Sequence, residues 1–164
     1  MLQAGAMGVP FVPVRGLYGS DLMAADTGFK LIEDPYNPDQ QVVVAPALRP
    51  DVFLTHGAAA DRQGNVITVD EGRNDLLAAQ AARRTVISVE EVAGVSLSPA
   101  TRPGWIFIPA IYVDAVVLTS NGSHPAGFSG LYPPDVEALR EYTEAARSDE
   151  GFKTYLDRHV FSDA

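Results

Sequence analysis

Apolar residues fall in short runs rich in β-branched side chains. They are Phe11–Val14, Val42–Ala45, Val52–Thr55, Val66–Val69, Thr85–Val89, Ile106–Ile108 and Val113–Leu118. Most are continuous rather than alternating, the pattern of strands buried on both faces in a sheet covered by helices. Helical signals lie between and after them. Asn74–Arg84 is rich in Ala, Leu and Arg, which are good helix formers. A second helix is expected from Pro134, with Asp135 and Glu137 in its first turn and a stripe through Val136, Leu139, Thr143 and Ala146. A third starts at the cap Ser148, and Phe152, Tyr155, Leu156, His159 and Val160 recur at helical spacing. Strands mixed with helices predict an α/β class. The stretch Arg15–Pro38 holds many Gly, Asp and Pro residues without a clear period and reads as a long irregular loop, a kind of segment that tends to serve function. Residues Leu2–Gly8 read as the last turns of a helix with a Gly cap, which gives the expectation that a segment precedes them.

Length and charge narrow the function. The 164 residues suit one domain, taken as 1–164. Twelve Lys and Arg against 21 Asp and Glu leave a net charge of −9, which argues against binding nucleic acid or anionic lipid by charge. No apolar run reaches the ~18 residues of a membrane span, and a cytoplasmic location is expected. The absence of Cys removes thiolate zinc sites and a cysteine nucleophile. Three scattered His residues do not spell a metal site, and none is expected.

Three polar segments are candidates for chemistry. Asp61-Arg62-Gln63-Gly64-Asn65 joins two strand-like runs. It reads as a tight hairpin turn with Gly64 or Asn65 in the left-handed region, or as a loop carrying Asp61, Arg62 and Asn65 into a cleft. Glu90 and Glu91 close the run Thr85–Val89. Ligand sites gather at strand ends in open α/β sheets, and neighbours on a strand point to opposite faces, so at most one of the two lines a given site. Ser120–Pro125 follows the last run and contains His124, a general-base candidate or a structural hydrogen bonder. His56 and His159 read as structural.

In order along the chain, Ala45–Val52, His56, Ala60–Asn65, Ala81–Arg84, Val89–Val92, Ile108–Val116, Gly122–Pro125, Glu150–Lys153 and Tyr155-Leu156 resemble the alpha subunit of family I CoA-transferases, of the glutaconate and 3-oxoacid type. The resemblance implies an open, mostly parallel sheet flanked by helices, the fold shared with sugar-phosphate isomerases, here incomplete at its N-terminus. It implies movement of CoA from an acyl-CoA to a carboxylic acid through a glutamyl-CoA thioester. CoA is then a co-substrate, no cofactor is permanently bound, and a beta subunit is the partner. The nucleophilic glutamate of the family lies on that partner, so no catalytic residue is assigned here. Asp61, Arg62, Asn65, Glu90, Glu91 and His124 are the cleft-lining candidates. The resemblance equally accommodates a thioester hydrolase or ring-opening enzyme on the same scaffold, and a non-catalytic assembly component. Arg15–Pro38 and Ala126–Pro134 are the segments available to shape an acyl pocket.

Overall fold

The structure is a computed structural model and describes residues 1–25, 28–69 and 74–162. The chain divides into two compact units, Met1–Leu118 and Thr119–Ala164.

The first unit holds two sheets. In one, β1 (Phe11–Val14), β3 (Asn37–Pro46) and β2 (Lys30–Asp34) lie in the order β1-β3-β2, all antiparallel. The other has five strands in the order β7-β5-β4-β6-β8. Its parallel strands are β4 (Phe53–Ala60), β6 (Thr85–Val92) and β8 (Ala115–Leu118). On the far side of β4, β5 (Val66–Thr68) and β7 (Ile106–Ile108) add antiparallel. The α/β class and the open sheet expected from the sequence are present. The run Thr85–Val89 needs no explanation beyond its β-branched residues, which suit a pleated interior strand.

The expectation of burial on both faces holds for β5, whose three residues are all buried, but not for β6. There Thr85, Ile87 and Val89 are buried while Val86, Ser88 and Glu90 are only half covered. Ile87 and Val89 pack with Ala60, Val66, Ile108 and Ala79, the last from helix α3 (Asp75–Ala81). Across the sheet, Leu54 of β4 remains 70% exposed. Helix α3 therefore covers one side of these strands.

Helix α1 (Leu2–Ala6) packs on α3. A Cβ at Gly5 would collide with the carbonyl oxygen of Leu48 and press on Ala81, so glycine is what lets α1 lie against the chain there. Gly8 follows with a φ of +73°, in line with the expected helix end.

Arg15–Pro38 is not one irregular loop. It contains the short helix α2 (Asp21–Ala24), all of β2 and the start of β3. Strand β2 is an edge strand whose sequence, Lys-Leu-Ile-Glu-Asp, carries charge on both faces because neither is fully buried. Charged edges are a common guard against unwanted pairing.

The second unit pairs helices α4 (Val136–Ala145) and α5 (Asp149–His159). The first begins later than Pro134, because Asp135 is its N-cap and accepts from the N–H groups of Glu137 and Ala138. Ser148 caps α5, accepting from Gly151 N–H, as the sequence predicts. Asp149 and Glu150 lie at its positive end, Arg158 and His159 at its negative end. Tyr142 meets Tyr155 and Phe152 edge-on, at ring-centroid distances of 5.5 and 6.2 Å. No helix among the described residues is long and apolar enough to cross a membrane.

Candidate functional site

The parallel register of β4 and β6 sets His56 opposite Ser88. Side chains alternate along a strand, so Ser88 and Glu90 share the face that α3 does not cover. His56 joins them. Its Nδ1 lies 2.7 Å from Ser88 Oγ and its Nε2 2.6 Å from Glu90 Oε1. The side chains of His56 and Glu90 are only 10% and 16% exposed. On the opposite face the neighbouring Thr55 hydroxyl donates to Asp75 Oδ2 of α3 at 3.3 Å. The parallel strands thus carry a His-Ser-Glu group on one side and a core on the other. Glu90 lies near the C-terminal end of β6, where open α/β sheets place ligands.

Glu91 follows the alternation to the other face and is exposed at the strand end. Of the two glutamates, Glu90 is the one built into a polar group.

The Asp61–Asn65 segment forms the turn between β4 and β5, with Gly64 in the left-handed region at φ +91°. Asp61 is 4% exposed and ties this turn together. Its Oδ1 accepts from the N–H groups of Gln63 and Asn65, at 3.0 and 2.9 Å. Its Oδ2 accepts from Asn65 Nδ2 at 2.9 Å and from Leu97 N–H at 2.8 Å. Burial pushes the Asp61 carboxyl up, but these hydrogen bonds from Asn65, Leu97 and Gln63 outweigh it and hold the group below the usual carboxylate range. Asn65 passes the connection on, its Oδ1 accepting from Ala110 N–H at 2.9 Å. Arg62 is exposed on the same turn.

His124 lies in the second unit, and its Nε2 is 3.2 Å from Asp135 Oδ2, with both side chains about half exposed. Hydrogen bonding from Ala138 N–H, then from His124, lowers the Asp135 carboxyl below its ordinary value. His124 and Glu90 therefore belong to different units.

The residue that sequence reasoning undervalues is His56. Beyond its place in the family resemblance, the signal for its role is the parity it shares with Ser88 and Glu90 once β4 and β6 are paired, and that pairing joins segments about thirty residues apart. In the three-stranded sheet an apolar hollow of about 350 Å³ is lined by Phe11, Ile32, Tyr36, Val42 and Val44 among others. Part of its wall comes from the Arg15–Pro38 stretch.

Comparison with known proteins assigns the chain. The sequence profile described as Coenzyme A transferase matches residues 1–119, which ends within one residue of the first compact unit. The A-type subunit of 3-oxoadipate CoA-transferase from Pseudomonas knackmussii is 33% identical over 96% of this chain and 54% of its own length. The crystal structure of glutaconate CoA-transferase from Acidaminococcus fermentans superimposes with a TM-score of 0.83 at 31% identity, over 98% of this chain and 55% of that one. A variant of the decarboxylase AibA/AibB gives a TM-score of 0.77 at 38% identity, over 96% of this chain and 57% of that one. The IpdA component of a cholesterol ring-cleaving hydrolase of Mycobacterium tuberculosis is 29% identical over 97% of this chain and 57% of its own length. The chain spans about half the length of these relatives. The chain belongs to the coenzyme A transferase family.

Proposed function

We propose that the chain forms part of the A-type subunit of a CoA-transferase that moves CoA from an acyl-CoA to a free carboxylic acid. The observation that carries this reading is the match to CoA-transferase subunits of that type along 96% or more of the chain. In this reading the nucleophile is a glutamate of a partner beta subunit. Its carboxylate attacks the thioester carbonyl and expels CoA thiolate, leaving an acyl-glutamyl anhydride. The thiolate then attacks the glutamyl carbonyl, releasing the first acid and forming a glutamyl-CoA thioester. The acceptor carboxylate takes the CoA by the reverse steps. One hard acyl transfer becomes several easier ones. This chain supplies a wall of the cleft, with Glu90 as the cleft-lining carboxylate at the end of the parallel strands. Asp61 and Asn65 hold the adjoining turn in shape. Arg62 and Glu91 stand as further lining candidates on exposed segments of the first unit; His124 is a separate candidate carried by the second.

The test is reconstitution. The chain is co-purified with the polypeptides encoded beside it, and CoA exchange is assayed between acyl-CoA donors and short-chain or dicarboxylic acids. A new acyl-CoA, together with a CoA adduct on a partner glutamate seen by mass spectrometry, supports the transferase. Absence of exchange from every reconstituted assembly counts against it. A hydrolase is the second reading, favoured by the similarity to the ring-cleaving hydrolase component; it yields free CoA or a ring-opened acyl-CoA without exchange.

A further inference from the structure

We propose that His56 is a positioning residue, fixed by Ser88 through Nδ1 and clamping the Glu90 carboxylate through Nε2 at the C-terminal end of the parallel strands. The proposal rests on the reading of Glu90 as a cleft-lining group and adds how that carboxylate is kept in place.

Three features support it. Both ring nitrogens have a partner at short distance, 2.7 Å to Ser88 and 2.6 Å to Glu90. A ring held at both ends cannot swing without breaking one bond, so its orientation is set by two strand residues rather than by a loop. A glutamate side chain left to itself samples several rotamers, and one fixed oxygen removes most of that freedom. The group also has a consistent proton arrangement. With the ring neutral, Nε2–H donates to the Glu90 carboxylate and Nδ1 accepts from the Ser88 hydroxyl. With the ring charged, both nitrogens donate. Glu90 is held in either state.

A serine nucleophile activated by His56 is the competing use of the same three residues. Ser88, however, sits in an interior strand paired with His56 on one side and Val117 on the other. The backbone N–H groups around it are committed to the ladder, so they do not form the cradle an oxyanion needs. The geometry favours holding Glu90.

Among the described residues, the charged groups on the elements packed around the ring are these. β6 presents Glu90 on the same face. β5 and β8 carry no titratable side chain. α3 presents Asp75, which meets Thr55 on the opposite face.

The first experiment needs only the 164-residue chain. Histidine is labelled with ¹⁵N and the three rings are followed by NMR against pH, with His124 and His159 as exposed references. The neutral His56 ring is expected as the Nε2–H tautomer. Glu90→Gln, which replaces the charged acceptor at Nε2 by a neutral amide, is expected to shift the Nε2 and Nε2–H resonances of the neutral ring. Ser88→Ala is expected to leave the Nε2–H in place while broadening the ring signals. An Nδ1–H tautomer, or an Nε2 resonance indifferent to Glu90→Gln, overturns the clamp without touching the transferase reading.

The second experiment uses the reconstituted assembly. A glutamine amide nitrogen reaches about where Nε2 stands, an asparagine nitrogen about where Nδ1 stands. His56→Asn is therefore expected to lower kcat by about 10-fold or more with little change in KM, since small misplacements of reacting groups have effects of that size. His56→Gln is expected to restore most of the loss. Equal activity in the two variants overturns the positioning role. A wild-type rate in Glu90→Gln removes Glu90 from the cleft and the role of His56 with it, even if the NMR result stands.

Discussion

Replacing Asp61 by Asn tests whether the turn between β4 and β5 is held by a charge. The substitution keeps the shape and removes the second acceptor oxygen. The amide oxygen can still accept from one pair of donors, either the N–H groups of Gln63 and Asn65 or Asn65 Nδ2 with Leu97 N–H. The new NH₂ then faces the other two donors. Hydrogen bonds to a charged group are worth about 1.5–3 kcal/mol each, and a buried donor left without a partner carries its full desolvation cost. Two such losses amount to about 3–6 kcal/mol. With a urea m-value of about 2 kcal/mol/M, the unfolding midpoint is expected to fall by about 2 M. Circular dichroism against urea reads this directly. A shift below about 0.5 M would refute the account of Asp61 as the centre of the turn. The pH dependence supplies an independent check. Because the folded carboxyl titrates below the ordinary Asp value of about 4, its stabilisation is fully present above that value and is lost as pH falls through the folded pKa. The gap between wild type and Asp61→Asn should therefore narrow on acidification below about pH 4.

Other substitutions address the remaining elements. A Cβ at Gly57 would lie 2.7 Å from Val66 Cγ1, a fully buried atom group, and 3.3 Å from Ile67 O; Gly57→Ala should cost about 1–3 kcal/mol in urea unfolding. In the second unit, Tyr142→Ala removes two edge-on ring contacts worth about 0.5–1.5 kcal/mol each, and should raise hydrogen exchange in α4 and α5 while leaving β6 protected. Asp135→Ala should lower amide protection at Glu137 and Ala138. The wild-type cap should weaken on acidification in the same sense as Asp61, since its carboxyl is also depressed, first by Ala138 N–H and then by His124.

Much of the fold was legible because local chemistry and final environment agree. The run at β6, the Ser148 cap of α5 and the Gly64 turn each carry their own instruction in a few neighbouring residues. Strand β2 was hidden for the opposite reason. Its Lys30, Glu33 and Asp34 belong to an edge whose faces stay partly wet, and the polar first half of β3 pairs with it at Glu33 and Asp34. Only tertiary pairing makes these residues a strand. The candidate site divides the same way. Glu90 was visible as a strand-end carboxylate, but its partner His56 depends on the register between two parallel strands, which no local pattern encodes. The boundary after Leu118 coincides with the small polar tract Thr119-Ser120-Asn121-Gly122-Ser123, which reads equally as an ordinary turn within one unit.

The side-by-side placement of His56 and Ser88 has a bearing on which length changes the gene can absorb. One residue added or lost within β6 before Ser88 would invert the facing of everything after it, carrying Ile87 or Val89 out of the hydrocarbon interior and Glu90 into it. The same change in the exposed tract around Arg15–Ser20 would be taken up by neighbouring turns. Length variation among natural homologues should therefore be purged from Thr85–Glu90 far more strictly than side-chain identity, and alignments that place gaps there are to be distrusted.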